Sequence, residues 1–131
     1  MEKFLLIKTD GTVETVEYDE KQDKLDFWYD AIGCSCVDIV NAYGIDNVVS
    51  RSEDFKKYAE LYCLIADDEG LFAKNPQINH MASLMYGVRE HGQPLVGNIL
   101  VAKNLQTDDG LETVGLNEED INFLKVYMFM S

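Results

Sequence analysis

Three cysteines, Cys34, Cys36 and Cys63, and two histidines, His80 and His91, are the residues with the most direct chemistry. A structural zinc site asks for four ligands, with about two to four residues between paired cysteines. Here a single residue separates Cys34 from Cys36, and the histidines lack the usual close spacing. A nucleophilic thiol needs a neighbouring base or a helix N-terminus to depress its pKa. Cys34 follows Gly33 and enters an expected strand, so core packing is the better reading of these thiols. Asp67-Asp68-Glu69-Gly70 gathers three carboxylates. Calcium loops place their acids at alternate positions and close with a Glu, whereas these acids are contiguous and read as a solvated turn. Neither G-x-x-x-x-G-K-[ST] nor G-x-G-x-x-G is present. The residues therefore point to no catalytic set, no metal and no cofactor.

The scarce basic residues suggest binding instead. Arg51, Lys56 and Lys57 lie close together, and Lys74, His80 and Arg89 surround a helix expected near Ile78. Arginine gives planar, bidentate contacts to phosphate. Asn79 and His80 stand at the start of that helix, where free N–H groups favour anions. Phe72 and Tyr86 offer rings for stacking on a base. Arg51, Lys56, Lys57, Phe72, Lys74, Asn79, His80, Tyr86 and Arg89 thus form a candidate binding set for a small anionic, nucleotide-like ligand. The competing reading is that sparse bases on an acidic surface solubilise it and pair internally.

Charge limits the partners. The 131 residues carry 11 Lys+Arg against 24 Asp+Glu, a net charge of −13. That balance excludes an ordinary nucleic-acid-binding domain, which needs positive charge to displace counterions from phosphates, and a basic membrane-surface peptide. Acids recur through Asp10, Glu14, Glu17, Asp19, Glu20, Asp23, Asp26 and Asp30. They recur again through Asp108, Asp109, Glu112, Glu118, Glu119 and Asp120. Carboxylates spaced over a rigid face can imitate DNA phosphates and occupy a basic cleft. The length suits one domain over residues 1–131. Phe4-Leu5-Leu6-Ile7 is too short for a signal h-region, and no run approaches a membrane span. An odd cysteine count without a disulfide ladder fits a reducing cytoplasm.

The elements that must position these residues follow from periodicity and turn signals. Phe4–Thr9 reads as a strand, turned by Asp10-Gly11 into a second strand carrying Val13, Val16 and Tyr18. The two valines differ in parity, which predicts a bulge or an early strand end. Asp19 is the expected cap of a helix to about Ala31, burying Leu25, Trp28 and Ile32, with Gly33 as its stop. Cys34–Val40 reads as a strand, Ser52–Tyr58 as a short helix and Leu61–Ala66 as a strand. Gln77–Val88 reads as an amphipathic helix, and Leu95–Ala102 as a strand interrupted at Gly97-Asn98. Gln106–Gly115 reads as an exposed acidic loop, and Asn117-Glu118-Glu119-Asp120 opens a closing helix with its acids at the positive end. The apolar end Val126–Met130 offers a surface for homo-oligomerisation. Without steady βαβ alternation, this is a small α+β domain with a mixed or antiparallel sheet and about three to four helices.

Several of these segments, taken in order, resemble the uncharacterised phage and bacterial family called domain of unknown function 3846. They are Ile32-Gly33-Cys34 with Val37-Asp38-Ile39-Val40, Ile65-Ala66-Asp67-Asp68-Glu69-Gly70, Asn75-Pro76 with Asn79, Val96-Gly97-Asn98-Ile99-Leu100-Val101, and Leu116-Asn117-Glu118-Glu119-Asp120. His80 stands where that family often has Arg, and Ala42–Glu60 is longer than usual for it. The resemblance implies a mobile-element context and names no reaction. It implies a non-enzymatic protein that counteracts host defence by sequestering a small nucleotide-derived signal, or alternatively an acidic protein that blocks a host defence or restriction protein.

Overall fold

The computed structural model describes residues 2–45, 61–72, 74–87 and 92–130. In chain order they form β1 (Glu2–Ile7), β2 (Val13–Tyr18), α1 (Lys24–Ile32), β3 (Val37–Asn41), β4 (Tyr62–Asp67), a single 3-10 turn (Gly70–Phe72), α2 (His80–Tyr86), β5 (Ile99–Thr107), β6 (Gly110–Val114) and α3 (Glu118–Met130). The expected helix Ser52–Tyr58 lies outside the described residues, as do Arg51, Lys56, Lys57 and Arg89. The result is an α+β fold with a six-stranded sheet and three α-helices among the described residues.

The strand order is β2-β1-β5-β4-β3, and every pairing among these strands is antiparallel. β6 extends β5 beyond the reach of β1. Lys103 pairs at once with Tyr62 and Val114, so β6 occupies the β5 edge opposite β4, which is the edge β1 uses further back.

Both faces of the sheet are covered. Phe4, Leu6, Tyr18, Cys63, Ile65, Leu100 and Ala102 pack with Trp28 and Ile32 of α1. Leu5, Ile7, Tyr62, Leu64, Val101 and Ile99 pack instead with Ala82 and Met85 of α2 and with Ile121, Leu124, Tyr127 and Met128 of α3. A strand buried on both sides needs an unbroken apolar run, and Phe4-Leu5-Leu6-Ile7 is one. The same two-sided burial accounts for Val13 and Val16. The β1–β2 register runs without a break from Glu2↔Tyr18 to Ile7↔Val13. The two valines serve opposite faces, and the expected bulge is absent.

Other boundaries shift for local reasons. α1 is capped by Asp23, whose carboxylate accepts the Leu25 N–H at 2.9 Å. Asp19 instead closes the preceding turn by accepting the Lys21 N–H at 3.0 Å. Leu25 is 41% exposed, so the buried stripe of α1 reduces to Trp28 and Ile32. The expected strand at Leu95 begins only at Ile99, because Gly97 turns with φ +79° and its N–H bonds the Gln77 carbonyl. The expected acidic loop Gln106–Gly115 is a hairpin. β5 and β6 pair from Lys103↔Val114 to Thr107↔Gly110 around Asp108-Asp109.

Candidate functional site

Asn79, expected to touch ligand, is fully buried and works as a junction. Its Oδ1 accepts the Ala82 N–H at 3.0 Å, which caps α2. Its Nδ2 donates to the Ile7 and Gly97 carbonyls, both at 2.9 Å. The cap of α2 is therefore supplied from within the protein, and both side-chain donors of Asn79 are used there too. Of the other expected site residues, Lys74 and His80 are exposed, Phe72 is 86% exposed on the 3-10 turn, and Tyr86 packs against the core. His80 and Tyr86 lie about 120° apart around the axis of α2 and about 9 Å apart along it, His80 toward solvent and Tyr86 against the core. None of these five lines any of the three clefts described next.

The largest of the three clefts, about 500 Å³, lies between the β1–β2 hairpin and α3. Strand alternation puts Lys3 on the same face as Leu5 and Ile7, toward α3, and Thr15 is the register partner of Leu5. On α3, Glu118, Ile121, Asn122 and Lys125 recur at helical spacing along one side. The two walls are stapled together. The Leu116 N–H bonds the Lys3 carbonyl at 2.6 Å, and a Cβ on Gly115 would come within 2.7 Å of the Glu2 Cβ.

The electrostatics of this cleft rest on which lysines are already paired. Lys8 pairs with Glu14, Lys24 with Glu2, and Lys103 with Asp120. Lys3 and Lys125 form no ion pair among the described residues. The N-terminus of α3 is closed to anions. Asn117 Oδ1 accepts the Asp120 N–H, and Asp120 Oδ2 accepts the Asn117 N–H, a reciprocal cap. Asp120 is buried and also accepts from Tyr62 Oη at 2.8 Å and Lys103 Nζ at 3.1 Å. The cleft thus presents two ammonium groups, the Asn122 amide and the Thr15 hydroxyl, opposed by the Glu118 carboxylate. Such a set can hold a phosphate or carboxylate by charge-assisted hydrogen bonds.

A second cleft, about 280 Å³, is lined by Thr9, Asn75, Gln77 and Asn98 with the Asp67 carboxylate. A third and smaller one, about 110 Å³, carries Asp38, Asp67 and Asp68. In the Asp67-Asp68-Glu69-Gly70 segment, Asp67 accepts the Glu69 N–H at 2.9 Å, which makes it a local turn as its sequence suggests. Among the described residues, no group of three or more His, Cys, Asp or Glu could hold a metal ion, and no helix is long and apolar enough to cross a membrane. Burial pushes the Cys63 thiol up to about 12. Cys34 is also raised, by partial burial and then by the Asp67 charge, whereas Cys36 is exposed.

No family model, no curated protein and no solved structure matches the chain. Lys3 and Lys125 carried no signal in the sequence, because each is an isolated lysine near one end of the chain. Only the closure of α3 over β1 brings them to one cleft.

Proposed function

We propose that this chain is a non-catalytic binding protein whose ligand is a small phosphate-bearing molecule of nucleotide type, held between the β1–β2 hairpin and α3. The observation that carries this reading is the placement of two lysines without an ion pair among the described residues, Lys3 and Lys125, in the largest of the three clefts of a −13 protein, whereas Lys8, Lys24 and Lys103 are each paired with a carboxylate. At about 0.15 M salt the Debye length is roughly 8 Å, so the distant surface carboxylates are screened, and within the cleft two ammonium groups stand against the carboxylate of Glu118. Sequestration of a nucleotide-derived signal is the role that the family resemblance supports for such a binder. The test is a thermal-shift panel of inorganic phosphate, AMP, ADP and a cyclic dinucleotide on the wild type and on the double variant K3A/K125A. At 100 times its dissociation constant a ligand adds about 2.7 kcal/mol of stability. A shift in the wild type that is lost in the double variant, with the nucleotide recovered intact, is expected. No shift with any probe, or equal shifts in both proteins, overturns the reading.

The β5–β6 hairpin favours a second reading, the acidic protein that occupies a basic surface. Leu111 is 65% exposed, Asp108, Asp109 and Glu112 are exposed around it, and no Lys or Arg occurs from Asn104 to Leu124. A complex built on this arm would weaken steeply with salt, whereas nucleotide binding would leave the arm's residues unperturbed.

A further inference from the structure

The second cleft shares no residue with the lysine cleft and has a different chemistry. Its polar groups are almost all neutral. Thr9 lies in the turn after β1, Asn75 and Gln77 flank Pro76, and Asn98 precedes β5. The one charged lining group is Asp67, and one of its oxygens already accepts the Glu69 N–H. Ile32, Pro76 and Val96 give the cleft an apolar side. From these features we infer that this cleft is a binding site for an uncharged, polyhydroxylated ligand of monosaccharide size, independent of the anion site. Amides donate and accept at once, so adjacent pairs of them match the alternating donors and acceptors of vicinal hydroxyls. The apolar side suits the C–H face of a sugar ring. A volume of about 280 Å³ falls just below the roughly 300–1,000 Å³ usual for small-molecule sites, which leaves room for one ring and no more.

The walls are fixed before any ligand arrives. Asn98 Oδ1 accepts the Thr9 N–H at 3.2 Å, and the Gly97 N–H bonds the Gln77 carbonyl at 2.8 Å. Asn79 ties the Ile7 and Gly97 carbonyls to the start of α2. Asn79 is thus a positioning residue for this cleft, reaching it only through backbone. Gly70 completes the fit, because a Cβ there would overlap the Val96 side chain that lines the floor.

The experiment is an amide-resolved NMR titration of the full chain with glucose, galactose, mannose and N-acetylglucosamine in turn. At least one sugar is expected to shift the resonances of Thr9, Asn75, Gln77, Gly97 and Asn98 saturably, leaving those of Lys3 and Lys125 in place. Gln77→Ala should weaken that sugar about tenfold. The Gln77 side chain is exposed and its backbone carbonyl keeps the Gly97 bond, so this variant stays folded, which its spectrum will verify. K3A/K125A should bind the sugar as the wild type does, so failure of the anion site and failure of this one are separable. Shifts with none of the four sugars, shifts mapping elsewhere, or wild-type affinity in Gln77→Ala would overturn the assignment.

Discussion

Asn79 shows how one polar side chain can hold three segments, and it sets the first prediction. Truncation to alanine removes the α2 cap and takes the donors from two carbonyls, at Ile7 and Gly97. Loss of a cap costs about 1 kcal/mol, and a buried acceptor left unsatisfied costs about 1–3 kcal/mol. Only the bond to Ile7 is fully buried, so the cap and that one acceptor together should make Asn79→Ala lose at least about 2–4 kcal/mol in urea unfolding. Asn79→Asp keeps the cap acceptor but sets a carboxylate oxygen against both carbonyls. Its loss should be at least as large at neutral pH and shrink as the pH falls, since the folded state then holds the proton more tightly than the unfolded chain. A near-neutral Asn79→Ala would remove the junction role. The cysteines give a second test at this scale. The thiolate is the reactive form, so at mildly alkaline pH Ellman's reagent should label Cys36 first and Cys34 more slowly. Cys63, held up at about 12 by burial, should react only on unfolding, which peptide mass mapping after timed labelling will read. Labelling of Cys63 in the native protein would mean that the α1 side of the sheet opens.

At the scale of elements, the segment after β3 lies tightly against the end of α2. The Gly44 N–H bonds the Met85 carbonyl at 2.7 Å, and a Cβ on Gly44 would land on the Leu84 carbonyl oxygen. Neither backbone can yield without parting the core beside Ala42 and Ile45. Gly44→Ala should thus lose more than about 2 kcal/mol by overpacking. Gly11→Ala, with φ +92° but open space around it, should lose only the left-handed conformational cost of about 1–2 kcal/mol. Chemical denaturation of the two variants side by side decides the order, and equal losses would refute the close approach. The same elements show what the sequence could and could not reveal. Helices α1, α2 and α3 and strands β1 and β4 bury apolar residues at regular spacing, and their existence was legible. β6 was not, because its hairpin with the end of β5 pairs mainly with itself and leaves Leu105 and Leu111 exposed. Without a core to face, it shows no apolar alternation and reads as a loop. The break at Gly97 was legible as an interruption. The crossing of the chain back to Gln77 and Ile78, which makes the neutral cleft, is a long-range contact that local pattern cannot encode. Asn79 misled for a related reason. An Asn at a helix start is the same residue type whether it meets a ligand or the backbone, and only its complete burial separates the two roles.

Across the whole molecule, self-repulsion sets the remaining behaviour. A net charge of −13 stands against three ion pairs among the described residues, and the Lys8–Glu14 pair is exposed. Exposed pairs contribute little, so like-charge repulsion should dominate the response to salt. Raising NaCl from about 0.02 M to about 0.5 M shortens the Debye length from roughly 20 Å to roughly 4 Å. The melting temperature should rise by about 4 °C, the equivalent of about 1 kcal/mol for a chain of this size. One interaction should escape this screening. Lys103 and Asp120 meet at 3.1 Å, the Asp120 side chain is only 8% exposed, and the same carboxylate holds Tyr62 and the α3 cap. Lys103→Met strips that carboxylate of its cation inside the protein, where salt reaches poorly. The variant should melt below the wild type by the same margin at both salt concentrations, even as both proteins gain from screening. If the margin vanishes at high salt, the pair is in effect a surface contact, and α3 is held over β1 by apolar packing and the Leu116–Lys3 backbone bond. If the wild type instead loses stability as salt rises, its charges are arranged to attract, and the wide acidic surface is a set of internal partners.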